Sequence, residues 1–331
     1  MIITKTPLRI SLVGGGTDLP SFYKRNSYGA VVNCTIDKFL YVTLKKQNEL
    51  FDEKYRLNYY VTENINTIDE IKNPVIRECF KQLNIDDFLY VSTIADAPSA
   101  TGLGSSSAFC VGLLKALYKY RNETISNEKL AEQASDIEIN NLKLSLGKQD
   151  HYSAAFGGLK YFKFLDNEDV KIEKISFDSK LFNKINQDIL IFWTGIQRSA
   201  ETILKDQSSN NDINENNLIE LRNLTEDFYK TLIDDNFKDK YDFGEILHKT
   251  WEIKKTFSKK ISNSLIDDAY NIAKRLGAKG GKICGAGGGG FLMIISEPEF
   301  HKKITEEFNN IGLKRYNLNF IDVGSKVYEI T

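Results

Sequence analysis

Asp96-Ala97-Pro98-Ser99-Ala100-Thr101-Gly102-Leu103-Gly104-Ser105-Ser106-Ser107-Ala108 lies between two readable elements. Before it, Leu89 to Ala95 reads as a strand; after it, Leu113, Leu114, Leu117 and Tyr118 recur at helical spacing. Small residues at a strand-to-helix turn let the backbone approach a ligand closely. The first N–H groups of the helix lack intrahelical partners, and its dipole favours an anion there. The three serines add hydroxyls able to cap the helix, bind phosphate oxygens or hold a metal. A tight turn with a serine cap would need less than this long, biased run, so the segment predicts a phosphate site. It is not a Walker A loop, because no Lys-Ser/Thr follows the glycines at the required spacing. Nor is it a dinucleotide fingerprint, since Ser107 stands where the third glycine should be.

Three further segments flank this turn. Upstream, Pro7 to Val13 reads as a short strand running into Gly14-Gly15-Gly16-Thr17-Asp18, with Arg9 before the turn and Asp18 after it. Arginine supplies fixed donors for phosphate or a developing alkoxide, and Asp18 could accept hydrogen bonds from sugar hydroxyls. An Asx turn with a solvated arginine fits the same residues equally well. Downstream, Glu138 lies on a helical pattern covering Asn127 to Leu144, and Asp150 follows the break at Gly147. Converging, the two carboxylates could hold Mg²⁺ and accept a proton; apart, they would be ordinary surface groups. The run Gly285-Ala286-Gly287-Gly288-Gly289-Gly290 precedes the apolar strand Phe291 to Ser296. Glycines in that position mark a loop lining a site.

The rest of the chain narrows the possibilities. Its 331 residues suggest two domains. A hydrophobic fraction of 41% and a formal net charge of −1 suit a globular protein and exclude a general nucleic-acid binder. Cys34, Cys79, Cys110 and Cys284 are far apart and read as buried small apolar residues, without a zinc or disulfide pattern. His151, His248 and His301 are scattered. Neither a signal-peptide core nor a membrane-length apolar run is present, which gives a cytoplasmic expectation without a membrane partner. Val31 to Leu44 reads as a long strand, and Gln187 to Trp193 as a strand opening the second half. Ser208 to Asn217 reads as a solvated loop, and helices follow to about Leu276, with Gly277 as C-cap.

In this order the four segments resemble the GHMP kinases, the family of galactokinase, homoserine kinase, mevalonate kinase and phosphomevalonate kinase. Lys5-Thr6-Pro7-Leu8-Arg9-Ile10-Ser11, Gly147-Lys148-Gln149-Asp150 and Thr194-Gly195-Ile196-Gln197-Arg198-Ser199-Ala200 resemble the heptose 7-phosphate kinase branch. The resemblance implies an α+β fold of two domains. Residues 1–185 would be like ribosomal protein S5 domain 2, and residues 186–331 ferredoxin-like, with the active site between them.

The resemblance also implies roles. ATP phosphates would lie on Gly102, Leu103, Gly104, Ser105, Ser106 and Ser107, with Mg²⁺ on Ser106 and Glu138. Asp150 would be the catalytic base and Arg9 its stabiliser. Gly16, Thr17, Asp18, Gly287, Gly288 and Arg198 would meet the substrate. The implied reaction phosphorylates the anomeric hydroxyl of D-glycero-D-manno-heptose 7-phosphate, giving the 1,7-bisphosphate for nucleotide-activated heptose and surface polysaccharide. The acceptor's own phosphate needs a cation, for which Arg198, Lys148, Arg25 and Lys282 are candidates. Two alternatives share these motifs: a 1-kinase for free fucose, galactose or N-acetylhexosamine, and a non-catalytic sugar- and ATP-binding regulator. The missing third glycine counts against a Rossmann oxidoreductase. The partners are small molecules, and the oligomeric state is left open.

Overall fold

The computed structural model describes residues 1–198, 203, 206, 211–234 and 242–330. Twelve strands build two sheets among these residues: β1 (Ile2–Val13), β2 (Tyr28–Lys46), β3 (Tyr55–Asn58), β4 (Thr62–Ile65), β5 (Leu89–Ala95), β6 (Leu159–Leu165), β7 (Val170–Lys174), β8 (Ile189–Trp193), β9 (Gly280–Ile283), β10 (Phe291–Ile295), β11 (Lys314–Arg315) and β12 (Lys326–Glu329). The first sheet runs β12-β1-β2-β5-β3-β4, with β6 also on β2 and β7 on β6; only β3 and β5 pair in parallel. The second is antiparallel, in the order β11-β8-β10-β9.

Both sheets and their helices contribute to one contiguous apolar core, with Tyr55, Phe80 and Phe162 fully buried in the first half and Phe192, Trp251 and Phe291 in the second. The helix Ser105–Tyr120 buries Val111, Leu113, Leu114 and Leu117. Thr4 of β1 donates to the Gly112 carbonyl at 3.0 Å, so this helix lies close on the sheet. Among the described residues no helix is long and apolar enough to cross a membrane.

An irregularity in the central strand pair prepares the cleft. Between Pro7↔Phe39 and Arg9↔Thr35, β2 spends four residues against two of β1. Pro7 has no N–H for a ladder bond, and the bulge releases the Arg9 amide. That amide donates to the Leu103 carbonyl at 3.0 Å, tying β1 to the glycine–serine turn.

Several sequence expectations need correction. The helix expected over Asn127 to Leu144 is α-helical at Asn127–Asp136 and then opens into a π-helical turn, Ile137–Asn141. Residues Gln187 and Asp188 end the helix Lys180–Asp188, which buries Leu181, Phe182 and Ile185 on one face; β8 starts only at Ile189. The division at residue 185 therefore falls inside a helix, and β12 returns from the second half to β1. The loop expected over Ser208 to Asn217 is helical from Asn211; its first three residues lie outside those described. Asn214, Leu218, Leu221, Thr225, Phe228 and Leu232 share a buried stripe there, so helical periodicity overrides the polar composition.

Candidate active site

A cavity opens where loops of the two halves meet. Arg9, Gly16, Asp18, Gly102, Gly104, the serines 105–107, Gln149 and Asp150 line it from one side. Arg198, Thr250, Lys254, Lys282, Gly285 and Ala286 line it from the other.

Gly104, at φ 77°, caps the helix Ser105–Tyr120 with no side-chain hydrogen bond, leaving the first amides of the helix facing the cavity. Gly102 and Gly285 stack closely: a Cβ on Gly102 would sit 2.4 Å from the Cys284 carbonyl oxygen, and one on Gly285 would sit 2.5 Å from the Gly102 Cα. The third glycine run thus backs the phosphate turn. Leu103 turns into the core and offers only its backbone.

Arg9 is 4% exposed. Its Nε and Nη2 donate to the two carboxylate oxygens of Asp150 at 2.7 and 2.6 Å, and Nη1 donates to the Gly102 carbonyl at 2.7 Å. This two-pronged pair fixes the plane of the Asp150 carboxylate beside the serine turn. Asp150 stands in the first turn of the helix Gln149–Phe156.

Glu138 is fully buried on the π-helical turn. It accepts from Ser106 Oγ at 2.7 Å and Ser107 Oγ at 2.9 Å, and His151 Nε2 lies 2.6 Å from it. Burial would raise its pKa, but the hydrogen bond and charge of His151 and the two serine hydroxyls outweigh burial and lower it. His151 was not anticipated from the sequence; its place one residue after Asp150, on the inward side of a first helical turn, was the available signal. Among the described residues no three His, Cys, Asp or Glu side chains converge as a metal cluster. Ser106 nevertheless faces the cavity with its lone pairs free, and Glu138 is held anionic behind it, so the donor set fits a hard cation such as Mg²⁺.

Asp18 is buried, and its carboxylate accepts from Gly16 N at 2.9 Å, Gln149 N at 3.2 Å and Gln149 Nε2 at 3.0 Å. Burial pushes its pKa up, the amide bonds pull it down, and the neighbouring Asp150 charge adds to the rise. Three residues expected at the substrate are placed otherwise. The Thr17 hydroxyl is committed to the backbone of Gly14 and Ala30 and holds the turn. Gly287 and Gly288 pack behind the loop, against Ile261 and Lys260; Gly285 and Ala286 face the cavity instead.

Arg198 lines the cavity, as does Lys282, whereas Lys148 is engaged by Glu168 and Arg25 lies 3.9 Å from Glu215. The end of the segment Thr194 to Ala200, Ser199-Ala200, lies outside the described residues. Lys254 and Thr250 joined the site without a sequence signal, since a lysine and a threonine on a helical pattern read as solvated.

A mixed chain whose two halves close a cationic cleft over a glycine–serine turn has the architecture of an enzyme handling phosphate esters. The chain belongs to the GHMP kinase family: the family models GHMP kinases N terminal domain and GHMP kinases C terminal match residues 68–158 and 226–312. It is 29% identical to the D-glycero-alpha-D-manno-heptose 7-phosphate kinase of Campylobacter jejuni, across 97% of this chain and 95% of that one. It is 25% identical to the galactokinase of Pyrococcus furiosus, across 92% and 91%. The crystal structure of a D-glycero-D-manno-heptose 1-phosphate kinase from Bacteroides thetaiotaomicron matches all of both chains, with a TM-score of 0.73 at 24% identity, a likeness of fold.

Proposed function

We propose that the protein is an ATP-dependent sugar kinase that phosphorylates the anomeric hydroxyl of D-glycero-D-manno-heptose 7-phosphate, giving the 1,7-bisphosphate and ADP. The observation that carries the reading is the Arg9–Asp150 pair fixed beside the open N-terminus of the helix Ser105–Tyr120. The likeness to the Campylobacter enzyme over nearly the whole of both chains supports the choice of acceptor.

Phosphoryl transfer needs chiefly in-line positioning and neutralised charge on the transferred group. The backbone amides of residues 102–107 and the Ser105 hydroxyl hold the ATP phosphates, while the Ser106 and Ser107 hydroxyls donate to Glu138. Ser106 and Glu138 would hold Mg²⁺, which when bound offsets phosphate charge. His151 keeps Glu138 oriented. Asp18, presented by Gln149 and Gly16, accepts from sugar hydroxyls. Asp150 accepts the proton of the attacking hydroxyl, and Arg9 keeps its carboxylate in place. The product would feed nucleotide-activated heptose for surface polysaccharide.

The test is ADP release with ATP and Mg²⁺ across sedoheptulose 7-phosphate, the aldoheptose 7-phosphate, mannose 6-phosphate and free mannose, fucose, galactose and N-acetylhexosamines. The expected result is a preference for the aldoheptose 7-phosphate, with kcat reduced about 10²- to 10⁴-fold in Asp150→Asn. A preference for a free sugar overturns the acceptor, and wild-type turnover no faster than Asp150→Asn overturns catalysis by this carboxylate.

A further inference from the structure

Three cations enter the cavity from the second half of the chain, and no carboxylate of the described residues is among the main groups acting on them. Arg198 gives its Nε to the Gly287 carbonyl and leaves Nη1 and Nη2 buried without a hydrogen-bond partner among the described residues. Lys254, on the helix Phe243–Phe257, donates to the Gly285 carbonyl and is 6% exposed. Lys282, on β9, is 3% exposed. Thr250 stands one helical turn before Lys254, and its buried hydroxyl also lacks a partner among the described residues. Buried charges without counter-ions are strongly unfavourable unless a ligand completes them.

The nucleotide phosphates already have donors in the amides of the helix N-terminus and the Ser105 hydroxyl beside them. Those donors come from the first half of the chain, while Arg198, Thr250, Lys254 and Lys282 come from the second. A guanidinium with two free nitrogens, two ammonium groups and a hydroxyl match the charge and oxygen count of a phosphomonoester dianion.

We propose that Arg198, Thr250, Lys254 and Lys282 form a subsite for the phosphomonoester carried by the acceptor. The proposal rests on the reading of the protein as a kinase of a phosphorylated sugar. Burial, with repulsion from Arg9, holds Lys282 down to about 8 and Arg198 down to about 10, against the opposing pull of Cys284. A bound dianion reverses this pressure.

The experiment compares the wild type with Lys282→Met, Lys254→Met and the charge-keeping Lys282→Arg. Inorganic phosphate, ADP, the aldoheptose 7-phosphate and the free aldoheptose are titrated into each by calorimetry. Turnover of both acceptors is then measured. Melting in phosphate-free buffer checks the fold, and Lys282→Met should melt no lower than the wild type because it removes an unpaired buried charge. In the methionine variants, affinity for the sugar phosphate and for inorganic phosphate should fall about 10- to 100-fold, the worth of a charged hydrogen bond. ADP affinity should change less than about 3-fold, the scatter of distant substitutions. The kcat/KM ratio of phosphorylated to free acceptor should collapse with the affinity and recover in Lys282→Arg. Loss of ADP affinity equal to that for the sugar phosphate would assign the cations to the nucleotide and overturn the subsite. Unchanged sugar-phosphate and phosphate binding in the methionine variants would also overturn it. A wild type that prefers a free sugar would overturn both the acceptor and the subsite, whereas preference for a different sugar phosphate, lost in Lys282→Met, would overturn the aldoheptose acceptor and leave the subsite standing.

Discussion

Arg9 joins three parts of the site at once: the carboxylate of Asp150, the carbonyl of Gly102 and, through its backbone amide, Leu103. A lysine can supply the charge but not the planar fork. Arg9→Lys should therefore lower kcat by about 100-fold, as expected when a positioned group is displaced by roughly 1 Å. The KM for ATP should shift much less, and single-turnover rates separate the two effects. Gly147 plays the opposite part, by being small. A Cβ there would lie 1.8 Å from Asp18 Oδ2, so Gly147→Ala must move either the turn or the carboxylate. It should lower stability by about 1–3 kcal/mol and raise acceptor KM while sparing ADP affinity. A variant with unchanged acceptor KM would remove Asp18 from the sugar site.

At the scale of elements, the site depends on short segments held by polar pins rather than on long helices. Glu168, in the turn between β6 and β7, accepts from Tyr23 at 2.6 Å and pairs with Lys24 and Lys148, tying the Gly147–Asp150 turn to the helix Pro20–Tyr23. Burial raises its pKa, but the hydrogen bonds of Lys148, Lys24 and Tyr23 prevail and lower it to about 2. A carboxyl depressed in the fold adds stability above its unfolded value near 4.5, and loses it as pH falls toward 2. Wild type should thus out-melt Glu168→Gln at pH 6, and the difference should close between pH 4.5 and 2; parallel melting curves over that range would rule out the pin.

This scale also shows where the sequence could be read. Leu89 to Ala95 and the helix after Gly104 were legible because a strand, a positive-φ glycine and an apolar helical stripe follow one another locally. Gly277, at φ 100°, ends its helix for the same local reason. The π-helical turn under Glu138 was not legible, because it differs from an α-helix by one residue of hydrogen bonding and leaves no compositional trace. The helix beginning at Asn211 was hidden by asparagines that tertiary packing tolerates, among them Asn214, buried against the Phe257 carbonyl. Lys254 was invisible for a third reason: what makes it a site residue is a cleft assembled from distant segments.

At the scale of the whole molecule, a formal net charge of −1 conceals a strongly cationic interior. Arg9, Arg198, Lys254 and Lys282 share one cavity with Asp18 and Asp150, and Asp150 is already paired with Arg9. Holding the two halves closed over these charges therefore lowers stability when the cavity has no anion. Lys282 makes the effect measurable. It is brought down from 10.5 to about 8 first by burial and then by Arg9, against Cys284. Below pH 8 both folded and unfolded chains carry the proton, and the penalty is present in full. Between about 8 and 10.5 the folded chain sheds it while the unfolded chain keeps it, so the unfolded state binds more protons and stability rises with pH. At 1.36 kcal/mol per unit the rise is on the order of 3 kcal/mol. Lys282 also pushes Lys254 and Cys284 down, so comparing wild type with Lys282→Met reads this lysine together with its effect on those two neighbours. In phosphate-free denaturant titrations the variant should be the more stable protein at pH 7, and the gap should close toward pH 10.5. Added inorganic phosphate should narrow the same gap at pH 7, since an anion neutralises what deprotonation otherwise removes. Two parallel stability curves, unmoved by phosphate, would mean that this buried ammonium is neither strained nor waiting for a ligand.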